Sequence, residues 1–227
     1  MIKRTLFLLL LLSSSLASAA QLTEMETRWL SAGSAVLAYA KQDLKLPIDI
    51  TVQPQARAND VPLALGFQDG RCKLVLSMRG NPNAEDILSS VPAAQQPLMI
   101  EAMVAHEIGH CWRYAQGIWH VLPAGFEESA PAAPDATQEQ LQALRVTRRE
   151  EGFADLVALA WIQQRHPAQY GDVAAWMAKV RQPSPATRSH STLAWLQLAP
   201  TGAAFAGDLP LFEQAGKLWR QGLLRDE

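Results

Sequence analysis

Apolar and polar positions follow two periods along this chain, and the changes of period mark out its elements. Between Leu22 and Lys41 apolar residues recur at three- and four-residue steps (Met25, Trp29, Ala32, Val36, Tyr39), the spacing of one amphipathic helix. Pro47 to Gln53 alternates residue by residue, which predicts a strand. Asp69-Gly70 reads as a turn, and Arg71 to Met78 contains a second strand closed by Gly80-Asn-Pro-Asn83. No strand pattern follows. Pro97 to Tyr114 is helical in period, with Pro97 suited to a first turn that needs no backbone donor. Residues 117–135 are rich in Pro, Ala and Gly and read as a long loop. Thr137-Gln-Glu-Gln140 matches a capping box and opens a helix reaching Gln163. Further helices are predicted around 169–181, 191–198 and 209–224. Strands early and helices late predict an α+β fold, a small N-terminal sheet with a predominantly helical core.

The first residues follow a different pattern. Lys3-Arg4 precede an unbroken apolar run, Leu6 to Leu12, and then Ser-Ser-Ser-Leu-Ala-Ser-Ala. A positive start, a short apolar run and small residues form a secretory signal peptide, with Ala17 and Ala19 placed for cleavage before Ala20. The run falls short of the roughly 20 residues that span a bilayer, and no Cys follows it to take a lipid. The alternative is a leader that stays uncleaved as an anchor. On the signal-peptide reading residues 1–19 are removed. Residues 20–227 then form a single exported domain, periplasmic or secreted, with no stable membrane span.

Composition adds two constraints. Of 227 residues 48% are hydrophobic, enough to bury a sizeable core. The 20 Lys+Arg against 22 Asp+Glu give a net charge of −2, and removing Lys3 and Arg4 with the leader leaves 18 against 22, or −4. No basic stripe is available to neutralise phosphates, so nucleic acid is not an expected partner. Export also gives Cys72 and Cys111, the two cysteines, an oxidising compartment in which to join. Two buried free thiols are the alternative.

The chemistry lies in Ala105-His106-Glu107-Ile108-Gly109-His110-Cys111-Trp112. Each helical residue turns the chain about 100°, so His106 and His110 point the same way and can share one ion. Glu107 projects beside them, within reach of a water on that ion. This is the HExxH arrangement of zinc peptidases, in which the ion acidifies a water and the glutamate takes its proton. Gly109 costs helix propensity and so predicts a close neighbour. A catalytic zinc needs a third protein ligand. The metzincin spacing would put Gly at 113 and His at 116, where this chain has Arg113 and Gln116. His120 is available but lies in the loop. The stronger candidate is Glu151-Gly-Phe-Ala-Asp155, where Glu151 and Asp155 share a helical face and Asp155 can orient a ligand histidine. Glu150 projects about 100° away. The plainer alternative is a solvated acidic face balanced by Arg145, Arg148 and Arg149.

HExxH on one helix followed by ExxAD on a later one resembles the gluzincin metallopeptidases, most of all soluble members of the CAAX-prenyl-protease-like family. The resemblance rests on His106–His110 and Glu151–Asp155. It implies one zinc ion on His106, His110 and Glu151, with Glu107 as general base and Asp155 behind a ligand. It further implies a later donor to the oxyanion, for which His190 is the first candidate and Tyr170 and Arg188 are competitors. The family's His-Pro pair is missing, because Ser191 follows His190. By the same resemblance the strand ending at Met78 is the edge on which an extended peptide or protein substrate is laid. Trp119 and Phe126 are candidates for an apolar cleft wall. The expected activity is peptide-bond hydrolysis. The alternatives are a non-catalytic zinc-binding or interaction protein, and an amidase acting on cell-wall peptides.

Overall fold

The structure, a computed structural model, describes residues 21–58, 60–126, 135–183 and 188–225. The expected leader and the stretch 127–134 of the long loop lie outside the described residues. Two left-handed residues, Asp69 (φ 53°) and Gly70 (φ 73°), reverse the chain, the backbone of a tight hairpin turn. They join β2 (Leu63–Gln68) to β3 (Arg71–Arg79) in an antiparallel pair. β1 (Ile48–Pro54) pairs parallel with β3 on its other side, giving the order β1-β3-β2. The expected turn is therefore a hairpin whose first strand the hydropathy pattern did not reveal. β3 is the central strand, paired on both sides, so the edge expected there for a substrate is absent. Among the described residues the two outer edges belong to β1 and β2.

Register sets one face of the sheet. Leu65 and Ile50 flank Leu74, and Phe67 and Ile48 flank Cys72. Cys72, Leu74 and Leu76 are buried on this face, which packs on the helices. The fold is α+β with a predominantly helical core. Among the described residues no helix is long and apolar enough to cross a membrane.

The first predicted helix is broken in two, α1 (Glu24–Ala32) and α2 (Ser34–Gln42), at Gly33. A Cβ on Gly33 would lie 2.7 Å from Val104 Cγ2, so the corner rests directly on α3 (Gln96–Ala115). The longest element is α4 (Ala136–Arg165), buried continuously from Arg149 to Ile162. A helix enclosed on every side must be apolar or paired on every side. Its cap is Asp135 with Gln138, two residues earlier than the expected Thr137 box. α5 (Tyr170–Val180), α6 (Leu193–Leu196) and α7 (Leu211–Leu223) pack around it.

Cys72 and Cys111 are disulfide-bonded, 39 positions apart in sequence. The bond ties the middle of the sheet to α3 one residue beyond His110. Closing a loop of that length contributes about 4 kcal/mol in the chain-entropy treatment. The double variant Cys72→Ser/Cys111→Ser is expected to lose about 2–5 kcal/mol of stability, measured by urea unfolding against the oxidised protein.

Candidate metal centre

α3 and α4 cross closely enough to place their side chains in one site. A Cβ on Gly109 would sit 3.0 Å from the Ala154 Cα and 3.2 Å from the Val157 Cβ, so glycine at 109 is a packing requirement. At this crossing α3 presents His106, Glu107 and His110, and α4 presents Glu151 and Asp155. The Nε2 atoms of His106 and His110 lie 3.0 Å apart. Glu151 reaches across both, Oε2 3.4 Å from His106 Nε2 and Oε1 3.4 Å from His110 Nε2. One ligand atom from each of these three buried residues falls within 4.8 Å of the others. They can hold a metal ion. Ligands at about 2.0–2.1 Å from a tetrahedral ion stand roughly 3.3 Å from one another, the spacing this group already has.

The proton arrangement fits the same use. His106 Nδ1 is 2.8 Å from Asp155 Oδ1. An ionised carboxylate only accepts, so Nδ1 carries a proton, and in the neutral ring the Nε2 lone pair faces His110 and Glu151. Charge fits as well. Glu107, Glu151 and Asp155 face one guanidinium, Arg181, and the excess of negative charge favours a cation. Burial opposes a charge on His106, but hydrogen bonds and charge from Asp155 and Glu151 outweigh it and raise its pKa. Burial likewise pushes the Glu151 carboxyl up, and the two histidines hold it well below its ordinary value.

Asp155 is completely buried, and its oxygens are fully used. Arg181 donates from Nε to Oδ2 (2.9 Å) and from Nη2 to Oδ1 (2.8 Å). The Thr192 hydroxyl also donates to Oδ2. Burial raises the Asp155 carboxyl, while the Arg181 charge and the His106 hydrogen bond more than reverse it. Arg181 Nη2 also lies 3.4 Å from Glu151 Oε2. Neither Arg181 nor Thr192 was foreseen. Arg181 follows the end of α5 at no motif spacing, and a lone Thr before a short helix carries no signal.

The remaining candidates separate. Glu107 lines a cleft of about 760 Å³ together with His106, His110 and Glu151. Its carboxyl is raised by burial, an effect the neighbouring histidines only partly offset. His190 stands at the rim, Nε2 3.6 Å from Glu151 Oε1, and is not part of the three-residue group. Its Nδ1 is 2.9 Å from Ser189 Oγ, and burial lowers its pKa. Tyr170 is spent elsewhere, donating to the Ala199 carbonyl at 2.7 Å. The side chain of Arg188 is outside the described residues. Glu150 bonds Arg113 Nε at 2.6 Å and accepts from the His120 backbone N–H at 2.9 Å. Glu151 and Asp155 are buried, so the solvated acidic face does not apply to them. Trp119 lines the cleft; Phe126 does not.

Comparison with known protein families, with curated proteins and with solved structures finds no match.

Replacing the carboxylate behind a metal-bound histidine typically weakens metal binding about 10–100-fold. Asp155→Asn is expected to do so here, read by competition with a chromogenic chelator.

Proposed function

We propose that the chain is an exported zinc-dependent metallopeptidase of gluzincin type, hydrolysing peptide bonds. The observation that carries this reading is the joint placement of two imidazoles, a carboxylate and Glu107 along one cleft. Two nitrogen donors and one carboxylate suit zinc, and three protein ligands leave a position open for chemistry. Zinc held by His106, His110 and Glu151 would lower the pKa of a bound water toward about 7 and polarise a carbonyl.

The protein's own side chains supply the rest. Glu107 accepts a proton from the attacking water and returns it to the departing amine. Its place in the cleft beside His106 and His110 puts its carboxylate next to that water. Asp155, held by Arg181 and Thr192, fixes the ring of His106 and the tautomer that leaves Nε2 unprotonated. His190, on the rim beside Glu151, is positioned to donate a hydrogen bond to the oxyanion. Export is supported by the leader pattern and by the Cys72–Cys111 bond.

Glu107→Gln is expected to keep one equivalent of zinc while losing about 10²–10⁴-fold in turnover, the usual contribution of a general base. Glu151→Ala is expected to lose the zinc. A peptide-library digest with and without chelator, beside elemental analysis, reads both. Zinc bound with no cleavage of peptides would favour the non-catalytic alternative, and cleavage restricted to cell-wall peptides the amidase.

A further inference from the structure

The sharpest unexplained feature is a buried ion pair that takes no part in the metal centre. Arg113 is 2% exposed, and its guanidinium lies 4.2 Å from the ring centroid of Trp219. Glu150 bonds its Nε at 2.6 Å. Burying such a pair carries a large desolvation penalty that well-packed apolar residues would avoid. What the pair gains is a grip on one short stretch of chain. Arg113 Nη2 donates to the carbonyls of Ile118 and Val121, both at 2.8 Å, and Glu150 Oε1 accepts from the His120 N–H. His120 is held at φ 60°, a left-handed conformation that persists only where surroundings enforce it.

The residue enclosed by these bonds is Trp119. Its ring stands edge-on to His110, centroids 5.4 Å apart, and to Phe67 at 4.8 Å. His110 Nδ1 is buried without a hydrogen-bond partner, so this ring is flanked by aromatic packing where His106 has a carboxylate. Beyond Trp119 the cleft wall continues through Phe67, Leu65 and Leu63 of β2 and Met103 of α3. The β2 residues share the sheet face whose β3 neighbours are buried against the helices, yet they remain only partly buried over the cleft. These five wall residues, Trp119 included, are all apolar, so this side of the cleft favours a large apolar group.

We propose that Trp119, locked in place by Arg113 and Glu150, is the specificity-determining residue of the cleft and selects a substrate with a large apolar side chain beside the scissile bond. The inference rests on the peptidase reading, and Arg113 and Glu150 act as positioning residues. Its test uses two peptides identical except for Phe or Ala next to the bond cleaved. The wild type is expected to favour the Phe peptide in kcat/KM by about tenfold or more, the scale of apolar-pocket discrimination. Trp119→Ala is expected to bring the two within about threefold, and Trp119→Phe to keep most of the preference. Glu150→Gln retains an acceptor for the His120 N–H but loses the charge. It should lower the preference part-way, mainly through KM. These ratios do not depend on the fraction of protein carrying metal. A preference unchanged in Trp119→Ala, or an Ala peptide cleaved as well as the Phe peptide by the wild type, overturns the proposal. Equal losses on both peptides in Glu150→Gln overturn the positioning role. If the wild type cleaves neither peptide, the peptidase reading fails, and anisotropy of the fluorescein-labelled peptides decides selectivity separately. A Phe preference abolished by Trp119→Ala supports it, and equal binding overturns it.

Discussion

Asp155 sits in the middle of the molecule with no exposure to solvent, and the site is assembled around its need for partners. An unpaired carboxylate at that depth would cost several kcal/mol. Its oxygens draw a ring nitrogen from α3, a guanidinium from the end of α5 and a hydroxyl from just before α6. Satisfying one charge therefore fixes three parts of the chain relative to α4. It also sets the tautomer of His106 and brings Arg181 beside Glu151. Removing one partner from such a group leaves a buried charge uncompensated, typically about 3–5 kcal/mol.

Around this anchor the centre divides into a rigid floor and separately built walls. The floor is the α3–α4 crossing, where Gly109 allows backbone-to-backbone approach and the disulfide binds α3 to the central strand. Ligand atoms on packed helices keep their spacing better than ligands on loops. The walls come from elements distant in sequence: β2, the 118–121 stretch and His190. The 118–121 stretch is fastened by its own ion pair. Ligand geometry and wall shape are thus held by different bonds, although the walls touch the floor where Trp119 packs on His110 and His190 nears Glu151.

Helical spacing made the centre legible before any coordinates. His106 with His110, and Glu151 with Asp155, are each one helical turn apart, a relation local sequence states outright. Gly109 was legible for the same reason, as a costly residue inside a strong helix. What local pattern could not convey was contact between remote segments. Arg181 and Thr192 gain their meaning from Asp155, 26 and 37 residues earlier. β2 was missed because Leu63-Ala-Leu-Gly-Phe-Gln68 alternates large with small residues and hides the apolar–polar rhythm. The helical angle separates Glu150 from Glu151, but its pairing with Arg113 depends on the α3–α4 crossing. The α4 cap falls on Asp135, two residues before the Thr137 box that the sequence predicts.

The central claim is that His106, His110 and Glu151 bind one ion between them. Anomalous diffraction at the zinc edge from crystals of the purified chain tests it most directly. The account predicts a single peak roughly 2.0–2.2 Å from His106 Nε2, His110 Nε2 and a Glu151 carboxylate oxygen. A zinc-supplemented crystal with no peak between those three side chains, or with its peak on other residues, would contradict it.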